Sequence, residues 1–359
     1  MVAVALVLAT GACGGEVSGE VNGGGGERGD AGDWAATQAR QHRQKARQRL
    51  ADDRYVVAIS VDGLNPDAIR TLGRDRAPSF YRMLDHGAGT LNARTAREKT
   101  VTLPNHTGML TGRRILSDDG HHVTMNTDPG GTVHDLAGHY VPSFFDTTHD
   151  RGGRTALYAE KEKFALYNRT WGAHGRRDRV GDDDGRDKID AFAVADATVL
   201  VDRLVTSLRT PRRVNFLHLA VPDTAGHAHG FMSRPYLRAV HRTDSLVGRI
   251  LGTVAGDPDL RDSVTVILTA DHGGRGADHA AAGDEDNYTI PFLTWGAGVA
   301  KSRGLYALNP ERTNPGHRRP AYDDPPPIRN TDVADLVTSL LAAPEVAGSV
   351  PHTHALRVS

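Results

Sequence analysis

Three aspartates stand just after apolar, β-branched stretches of the sequence, and two of them have histidines close by. Asp62 follows YVVAISV, Asp223 follows VNFLHLAVP, and Asp271 follows SVTVILTA. Aspartate and histidine together supply the oxygen and imidazole ligands that favour zinc over calcium or magnesium. The chain has one cysteine, Cys13, so a zinc site in the globular part must be built from aspartate and histidine.

The histidines stand at short spacings from two of these aspartates. His227 lies four residues after Asp223 in PDTAGHAHG, and His272 directly follows Asp271 in TADHGG. Residues at these spacings can turn inward together to hold one metal ion, and the paired glycines would let the backbone approach a ligand closely. Each pattern alone is a weak indication, but the two together, in this order and at strand ends, predict a metal site.

Thr102, in KTVTLPNHTG, stands at the start of a predicted helix, and two roles are open to it. Its hydroxyl could cap the helix as an N-cap residue. Alternatively it could be a nucleophile, with the helix amides behind it holding an anion. A threonine hydroxyl is a poor nucleophile at neutral pH, and metal coordination would lower its pKa. The nucleophilic role therefore goes together with a metal site.

The elements that must position these residues alternate along the chain. Apolar runs typical of buried strands occur at 55–63, 154–161, 214–223, 263–273 and 289–296. Helical stretches occur at 191–208 and 234–254. This alternation predicts an α/β fold with a doubly wound, mostly parallel sheet and helices on both faces. Ligands of such sheets bind beyond the carboxyl ends of the strands, where the aspartates stand.

The order of several short motifs resembles the alkaline phosphatase superfamily, and within it the type I nucleotide pyrophosphatase/phosphodiesterase branch. The motifs, between about Tyr55 and Leu341, are ISVDGL, KTVTLPNHTGMLTGR, HHVTMN, PDTAGHAHG, TADHGG, IPFLTWGAGV and IRNTDVADLVTSLL. The resemblance implies the alkaline phosphatase-like sheet and a two-zinc hydrolase of phosphoric esters. It implies cleavage of phosphodiester or nucleotide pyrophosphate bonds through a phosphothreonine intermediate, with a nucleotide among the candidate substrates.

The resemblance further implies two sets of zinc ligands. The first set is Asp62, Asp271, His272 and the hydroxyl oxygen of Thr102. The second set is Asp223, His227 and one more histidine. The family's downstream loop that supplies this histidine is missing, and the candidates are His279, His317, His352 and His354. We predict His279, because it follows DHGG closely in a Gly/Ala-rich loop that could fold back over the site.

Three further residues are candidates for contacts with the substrate. Asn126 matches the family asparagine that donates to a phosphoryl oxygen, although His122 stands where the family has glycine. The alternative is that Asn126 is an ordinary turn residue before Pro129. Lys161 and Lys163, in YAEKEKF, resemble the substrate-binding lysine of some phosphatases in the superfamily. The alternative is that they only form the charged, exposed end of a strand. A cation near the phosphoryl oxygens would favour a doubly charged monoester.

Several function classes compete with the diesterase. A phosphomonoesterase or phosphonate hydrolase of the same superfamily is the first alternative, and a non-catalytic secreted binding domain is the second. A sulfatase is disfavoured, because that branch converts a cysteine or serine to formylglycine and this position is Thr102. The formal net charge of −1 gives no reason to expect nucleic-acid binding. A mean hydropathy of −0.43 excludes a polytopic membrane protein.

The chain divides into four predicted segments. These are a signal-like segment with a Gly-rich tether (1–33), a basic helix-prone segment (34–50), the catalytic domain (51–345) and a C-terminal tail (346–359). The first segment has an apolar run of signal-peptide type, and Cys13 then stands in a setting that resembles a bacterial lipoprotein cleavage site. We therefore expect an exported protein, extracellular or anchored to the cell surface by a lipid on Cys13. The oligomeric state is not predicted.

Overall fold

The computed structural model describes residues 54–175, 186–210, 212–350 and 355–359, which belong to one compact unit. Within them the chain forms one sheet of eight strands: β1 (Tyr55–Val61), β2 (Ala88–Arg94), β3 (Thr155–Ala159), β4 (Ala191–Val194), β5 (Val214–Leu219), β6 (Val264–Thr269), β7 (Thr289–Gly296) and β8 (Arg303–Gly304). The strand order is β4-β3-β5-β1-β6-β7-β2-β8. Only β7 runs antiparallel to its neighbours, β6 and β2, among these strands.

Helices connect most of the strands. In chain order they are α1 (Pro66–Arg76), α2 (Pro78–His86), α3 (Thr102–Thr111), α4 (Val133–Ala137), α5 (Phe144–His149), α6 (Ala165–Trp171), α7 (Ala197–Ser207), α8 (Val221–His229), α9 (Arg234–Gly256), α10 (Pro258–Ser263), α11 (Glu285–Tyr288), α12 (Leu305–Leu308) and α13 (Val333–Leu340). Every residue of β3, β5 and β6 is buried, so both faces of the parallel sheet are covered. The predicted α/β fold with a mostly parallel sheet is confirmed. Among the described residues, no helix is both long and apolar enough to cross a membrane.

The predicted elements differ from the structure mainly at the edges of the sheet. The stretch 191–208 was predicted as one helix, but its first four residues form the edge strand β4, and α7 begins only at Ala197. Pairing of β4 with β3 overrides the helical pattern there. Strands β2 and β8 were not predicted. Both lie at the other edge, where β2 pairs with β7 and β8 with β2.

The three aspartates meet because their strands are neighbours in the order β5-β1-β6. Asp62 directly follows β1, Asp271 lies two residues beyond β6, and Asp223 lies in the first turn of α8, just after β5. Gly63 turns the chain away with a φ of 68°, and a Cβ there would lie 3.0 Å from the Cα of Asp223. A glycine at this position therefore permits the close approach of the two strand ends.

The C-terminal segment packs on the domain where the structure describes it. Val346, Leu356 and Val358 are buried in the core, although residues 346–359 were predicted as a C-terminal tail. The backbone of Ala300 also donates to the carbonyl of Val358. The segment is polar on average, but its apolar side chains pack into the core, which explains the difference. The other predicted segment boundaries, together with Cys13, His352 and His354, lie outside the described residues.

Glu160, at the carboxyl end of β3, holds two helix starts near the aspartates. Its carboxylate accepts hydrogen bonds from the backbone N–H of Ala197, at the start of α7, and from that of Ala220, just before α8. Helix α8 carries Asp223 and His227. A carboxylate is well suited to this position because it only accepts hydrogen bonds and because it complements the positive helix ends.

We expect Glu160→Gln to lower the free energy of unfolding by roughly 1–3 kcal/mol, because the amide turns a donor toward one of these N–H groups. Chemical denaturation of the metal-free protein measures this loss. Glu162→Gln, which alters an exposed carboxylate two residues away, is the matched control and should stay within about 0.5 kcal/mol of the wild type. Equal stabilities of the two variants would show that Glu160 does not support the helix starts.

Candidate functional site

Lys161 lies between two of the three aspartates. Its ammonium group is 2.6 Å from Oδ2 of Asp62 and 2.6 Å from Oδ2 of Asp223. Asp62 and Asp223 are buried, whereas a fifth of the Lys161 side chain remains exposed. The lysine therefore reaches into the site from its rim and neutralises part of its negative charge.

His272 lies at the centre of the aspartate cluster. Its Nε2 is 3.2 Å from Oδ2 of Asp271, 3.3 Å from Oδ1 of Asp62 and 4.0 Å from Oδ1 of Asp223. Two groups of possible metal ligands meet at this ring. They are Asp62, Asp271 and His272, and Asp223, His272 and His279. The structure thus brings together the aspartates that the sequence predicted to share one site.

His227 and His279 face each other beside Asp223. Their Nε2 atoms are 3.0 Å apart, and they lie 3.4 and 3.6 Å from Oδ1 of Asp223. The ring of His279 also stacks on that of His272, with centroids 3.5 Å apart. His317, the other described candidate, pairs with Glu285 and is almost fully exposed. Of these two, His279 is the histidine that belongs to the site.

Backbone carbonyls fix the tautomer of the three histidines. The Nδ1 atoms of His272, His279 and His227 lie 2.8, 2.7 and 3.0 Å from the carbonyl oxygens of Gly273, Thr100 and Ala277, respectively. A carbonyl can only accept, so each Nδ1 carries the proton and each neutral ring presents its Nε2 lone pair to the site. Two such lone pairs 3.0 Å apart repel each other unless a cation lies between them.

Four buried acceptor atoms of the aspartates and of His272, and the hydroxyl oxygen of Thr102 at the start of α3, have no hydrogen-bond partner. They are Oδ1 of Asp62, Oδ1 of Asp223, Oδ2 of Asp271, Nε2 of His272 and Oγ1 of Thr102. Buried polar atoms in proteins normally have partners, so such a concentration requires an explanation. Carboxylate oxygens and imidazole nitrogens are ligands of zinc and of other transition metals. The residues present therefore fit a divalent metal site.

The charges of the cluster do not balance in the protein alone. Burial would raise the pKa of Asp62, but Lys161 and His218 outweigh burial and hold that pKa well below its ordinary value. Burial, with the neighbouring charge of Asp62, raises the pKa of Asp271 well above its ordinary value. Burial would lower the pKa of Lys161, yet the carboxylates of Asp62 and Asp223 raise it. One ammonium thus faces three buried carboxyl groups, and the raised pKa of Asp271 reflects the crowding of negative charge that a bound cation would offset.

Burial favours the neutral form of His272 and His279. Loss of hydration lowers the pKa of His272 and of His279, and it does the same for His106 and His218 behind them. Neutral imidazole is the form that binds a metal ion. At neutral pH these rings therefore need no deprotonation before they can act as ligands.

Thr102 is the first residue of α3, and it is not the N-cap. Val101 occupies the N-cap position without a side-chain hydrogen bond, so the capping role considered for Thr102 is wrong. Its carbonyl accepts from Nδ1 of His106, which lies 3.6 Å from Oδ2 of Asp271. Thr100, two residues earlier, bonds to the backbone of His279. The start of α3 is thus held against both groups of candidate ligands.

Lys163 and Asn126 form a pair at the start of α3. Oδ1 of Asn126 accepts from the Lys163 ammonium at 2.9 Å and from the backbone N–H of Leu103 at 3.1 Å. Because the amide oxygen faces these two donors, the Nδ2 group points elsewhere and remains a donor. His122, at the family's glycine position, adopts a φ of 52°. Such a backbone is strained for histidine and easy for glycine.

The two glycines of DHGG make room for protein atoms. A Cβ at Gly273 would lie 2.0 Å from the carbonyl oxygen of Asp286, and one at Gly274 would lie 2.3 Å from the Phe231 ring. The prediction that they let the backbone approach a ligand closely therefore needs correction. They pack the loop that carries Asp271 against its neighbours.

Two buried histidines near the site were not predicted from the sequence. Nε2 of His218 lies 2.9 Å from Oδ2 of Asp62, and Nε2 of His106 lies 2.8 Å from the hydroxyl of Ser60. His218 interrupts the otherwise apolar strand VNFLHL, and His106 follows Thr102 by one helical turn. A histidine at a buried strand position was the available indication of a role at the site.

The sequence matches the model of the family Type I phosphodiesterase / nucleotide pyrophosphatase over residues 56–326. Among curated proteins, human GPI ethanolamine phosphate transferase 1 is 24% identical over 314 residues, which cover 83% of this chain and 32% of the relative. The enzyme of the same name from Chaetomium globosum is 34% identical over 138 residues, or 38% of this chain and 14% of the relative. The chain spans about a third of the human relative.

Among solved structures, an inactive variant of murine ectonucleotide pyrophosphatase / phosphodiesterase 5 in complex with AMP matches with a TM-score of 0.55 and 14% identity. The match covers 83% of this chain and 96% of that chain. The human form of that protein matches with a TM-score of 0.56 and 14% identity, over 84% of this chain and 97% of that one. At these identities the matches establish a common fold.

Proposed function

Because the chain belongs to the type I phosphodiesterase / nucleotide pyrophosphatase family, we propose that it is a two-zinc hydrolase that cleaves phosphodiester or nucleotide pyrophosphate bonds through Thr102. The observation that carries this proposal is the meeting of two Asp/His ligand groups, with partnerless acceptor atoms, at the helix start that bears Thr102. Its central residues are those expected from the family resemblance.

The first ion would be held by Asp62, Asp271, His272 and the hydroxyl oxygen of Thr102. The second would be held by Asp223, His227 and His279. Bound zinc would supply Lewis acidity, which lowers the pKa of a ligating hydroxyl or water and polarises a phosphoryl oxygen. The contacts of His272 with Asp62 and Asp271 support the first set, and those of Asp223 with His227 and His279 support the second.

In the proposed first step, Oγ1 of Thr102 loses its proton and forms a bond to phosphorus, while the bond to the leaving oxygen breaks and the leaving group departs with a proton. The result is a phosphothreonine ester on Thr102. Water then attacks phosphorus from the side opposite Thr102, the bond to Oγ1 breaks, and the phosphate half of the substrate leaves. Thr102 regains its proton in this second step.

The chain also offers groups that would stabilise the phosphoryl oxygens. The positive end of α3 lies at Thr102 and favours developing negative charge. Near the same helix start, Oδ1 of Asn126 accepts from Leu103 and Lys163, so its Nδ2 group is the part of the amide that can donate to a substrate. We propose that Asn126 binds a non-bridging phosphoryl oxygen.

A second candidate function is transfer of the phosphoryl group to an alcohol. It is favoured by 24% identity, over 83% of this chain, to a protein named as an ethanolamine phosphate transferase. Hydrolysis and transfer share the attack by Thr102 and differ in the acceptor of the second step. The ratio of alcoholysis to hydrolysis products, measured with ethanol or glycerol present, distinguishes them.

A monoesterase remains the alternative within the same reaction class, and Lys161 is the reason. Its ammonium group lies among the candidate ligands, and it could turn toward a doubly charged phosphate. Lys163 is engaged with Asn126, so its contribution to a monoester would be weaker. The motif order and the family favour diesters over this single cation.

We expect bis-p-nitrophenyl phosphate or p-nitrophenyl-TMP to be cleaved with a higher kcat/KM than p-nitrophenyl phosphate. A side-by-side rate comparison of the three compounds measures this. The opposite preference would overturn the diesterase assignment and leave the metal and nucleophile assignments standing. If Lys161→Ala or Lys163→Ala lowered monoester kcat/KM more than about tenfold, roughly 1.4 kcal/mol, while sparing diesters, the monoesterase alternative would gain support.

We also propose that the protein is exported and held at the cell surface by a lipid on Cys13. The support is the apolar run before Cys13 and the Gly-rich segment after it. Cell fractionation of the wild type and of Cys13→Ser tests this proposal. Release of the variant from the membrane fraction is expected, and an unchanged distribution would contradict the anchor.

A further inference from the structure

His218 is the next-to-last residue of β5 and is fully buried. One ring nitrogen, Nε2, is 2.9 Å from Oδ2 of Asp62. The other, Nδ1, is 3.3 Å from the backbone nitrogen of Glu160. The ring, on β5, therefore connects a candidate metal ligand just after β1 with the end of β3, and β5 lies between these two strands.

The backbone contact determines which nitrogen of His218 carries the proton. The N–H of Glu160 can only donate, so Nδ1 must accept, and the proton of the neutral ring lies on Nε2. His218 thus donates to Asp62. The tautomer is opposite to that of His272, His227 and His279, whose Nδ1 atoms face carbonyl oxygens. Those three rings present lone pairs, and this one presents a hydrogen.

The donated hydrogen bond distinguishes the two oxygens of Asp62. Oδ2 accepts from His218 and Lys161, whereas Oδ1 has no partner and lies 3.3 Å from Nε2 of His272. Lys161 has a long, partly exposed side chain that can move toward a substrate. His218 cannot move, because its ring packs against Phe164 at 4.2 Å and His106 at 4.9 Å.

We propose that His218 is a positioning residue that holds Asp62 by its Oδ2, so that Oδ1 faces the metal position. This inference rests on the proposed metal-dependent function. Hydrogen bonds from such outer groups commonly contribute 10–100-fold to metal affinity, because they fix the ligand before the metal arrives. A purely structural role, in which His218 only fills the core, predicts no such effect on affinity.

A matched pair of variants separates the two roles. His218→Gln retains an N–H group near the position of Nε2, whereas His218→Met has similar length and no donor. We expect the methionine variant to bind zinc at least about tenfold more weakly than wild type, in competition with a chromophoric chelator. The glutamine variant should remain within about threefold of wild type, which is rescue by the conservative change.

The outcomes distinguish this inference from the proposed function. Wild-type zinc affinity in the methionine variant, or equal weakening in both variants, would overturn the positioning role. Failure of the wild type to bind zinc would instead overturn the proposed function. If the methionine variant does not fold, long-range ¹⁵N spectra of the wild type, assigned with the glutamine variant, carry the test. An Nε2-protonated His218 supports the inference, and an Nδ1-protonated one contradicts it.

Discussion

Thr102→Ala is expected to lower turnover roughly a thousandfold or more, while the zinc content of the protein stays close to that of the wild type. The substitution removes the hydroxyl together with one methyl group, and without the hydroxyl no covalent bond to phosphorus can form. The metal should remain, because Asp62, Asp271 and His272 still provide a ligand set. Thr102→Ser retains the oxygen and should keep part of the rate.

Thr111→Ala is the matched control for this prediction. Thr111 is a buried threonine on the same helix, and its hydroxyl donates to the carbonyl of Thr107 within α3. Its removal should lower stability modestly and leave turnover unchanged. Near-wild-type activity of Thr102→Ala would remove Thr102 from the chemistry and leave its partnerless Oγ1 unexplained.

Asp271→Asn is expected to abolish metal-dependent turnover and yet to raise the melting temperature of the metal-free protein. The carboxylate is buried beside Asp62 and Asp223, and these neighbours, after burial itself, raise its pKa. An amide removes one charge from the cluster. Its oxygen can still accept from the backbone N–H of Gly63 and His272, as Oδ1 does now.

The amide nitrogen of this variant would also donate to Nε2 of His272, which lies 3.2 Å from Oδ2 of Asp271. We therefore expect a rise of roughly 2–4 °C in excess chelator, the shift that about 1 kcal/mol produces in a domain of this size. Added zinc should raise the melting temperature of the wild type, by preferential binding to the folded state, and should have much less effect on the variant.

Asp335→Asn provides a matched control away from the site. Burial raises the pKa of Asp335 to about 6. Since this folded-state value lies above the ordinary one, the stability that Asp335 contributes is complete below about pH 4 and is lost as the pH rises through 6. At pH 8 the amide should therefore stabilise the fold without altering turnover or zinc binding. A lower metal-free melting temperature of Asp271→Asn, or retained turnover, would contradict this account.

The central strands and the positions of the aspartates could be predicted because both follow from local patterns. Buried parallel strands are continuous apolar runs, and the residue after such a run lies at the edge where ligands bind. Asp62, Asp223 and Asp271 illustrate this. The short strand β4, AFAV, is apolar but stands only two residues before helix α7, and β8 has only two residues. Both are strands because β3 and β2 offer partners.

The supporting contacts of the site could not be predicted, because they depend on residues far apart in the chain. His218 and Asp62 are 156 positions apart, and Lys161 and Asp62 are 99 apart. Sequence spacing carries no information on such pairs. The directions of the two lysine side chains likewise follow only from the fold. The ammonium of Lys161 lies among the carboxylates, whereas that of Lys163 donates to Asn126.

The most direct test of the account is the number of zinc ions that the purified wild-type chain retains after dialysis against metal-free buffer, measured by elemental analysis. We predict about two per chain, because the group of Asp62, Asp271 and His272 adjoins the contacts of Asp223 with His227 and His279. In-line displacement at phosphorus uses two such ions. A content below one ion per chain, in a folded protein supplied with zinc, would contradict the two-metal mechanism.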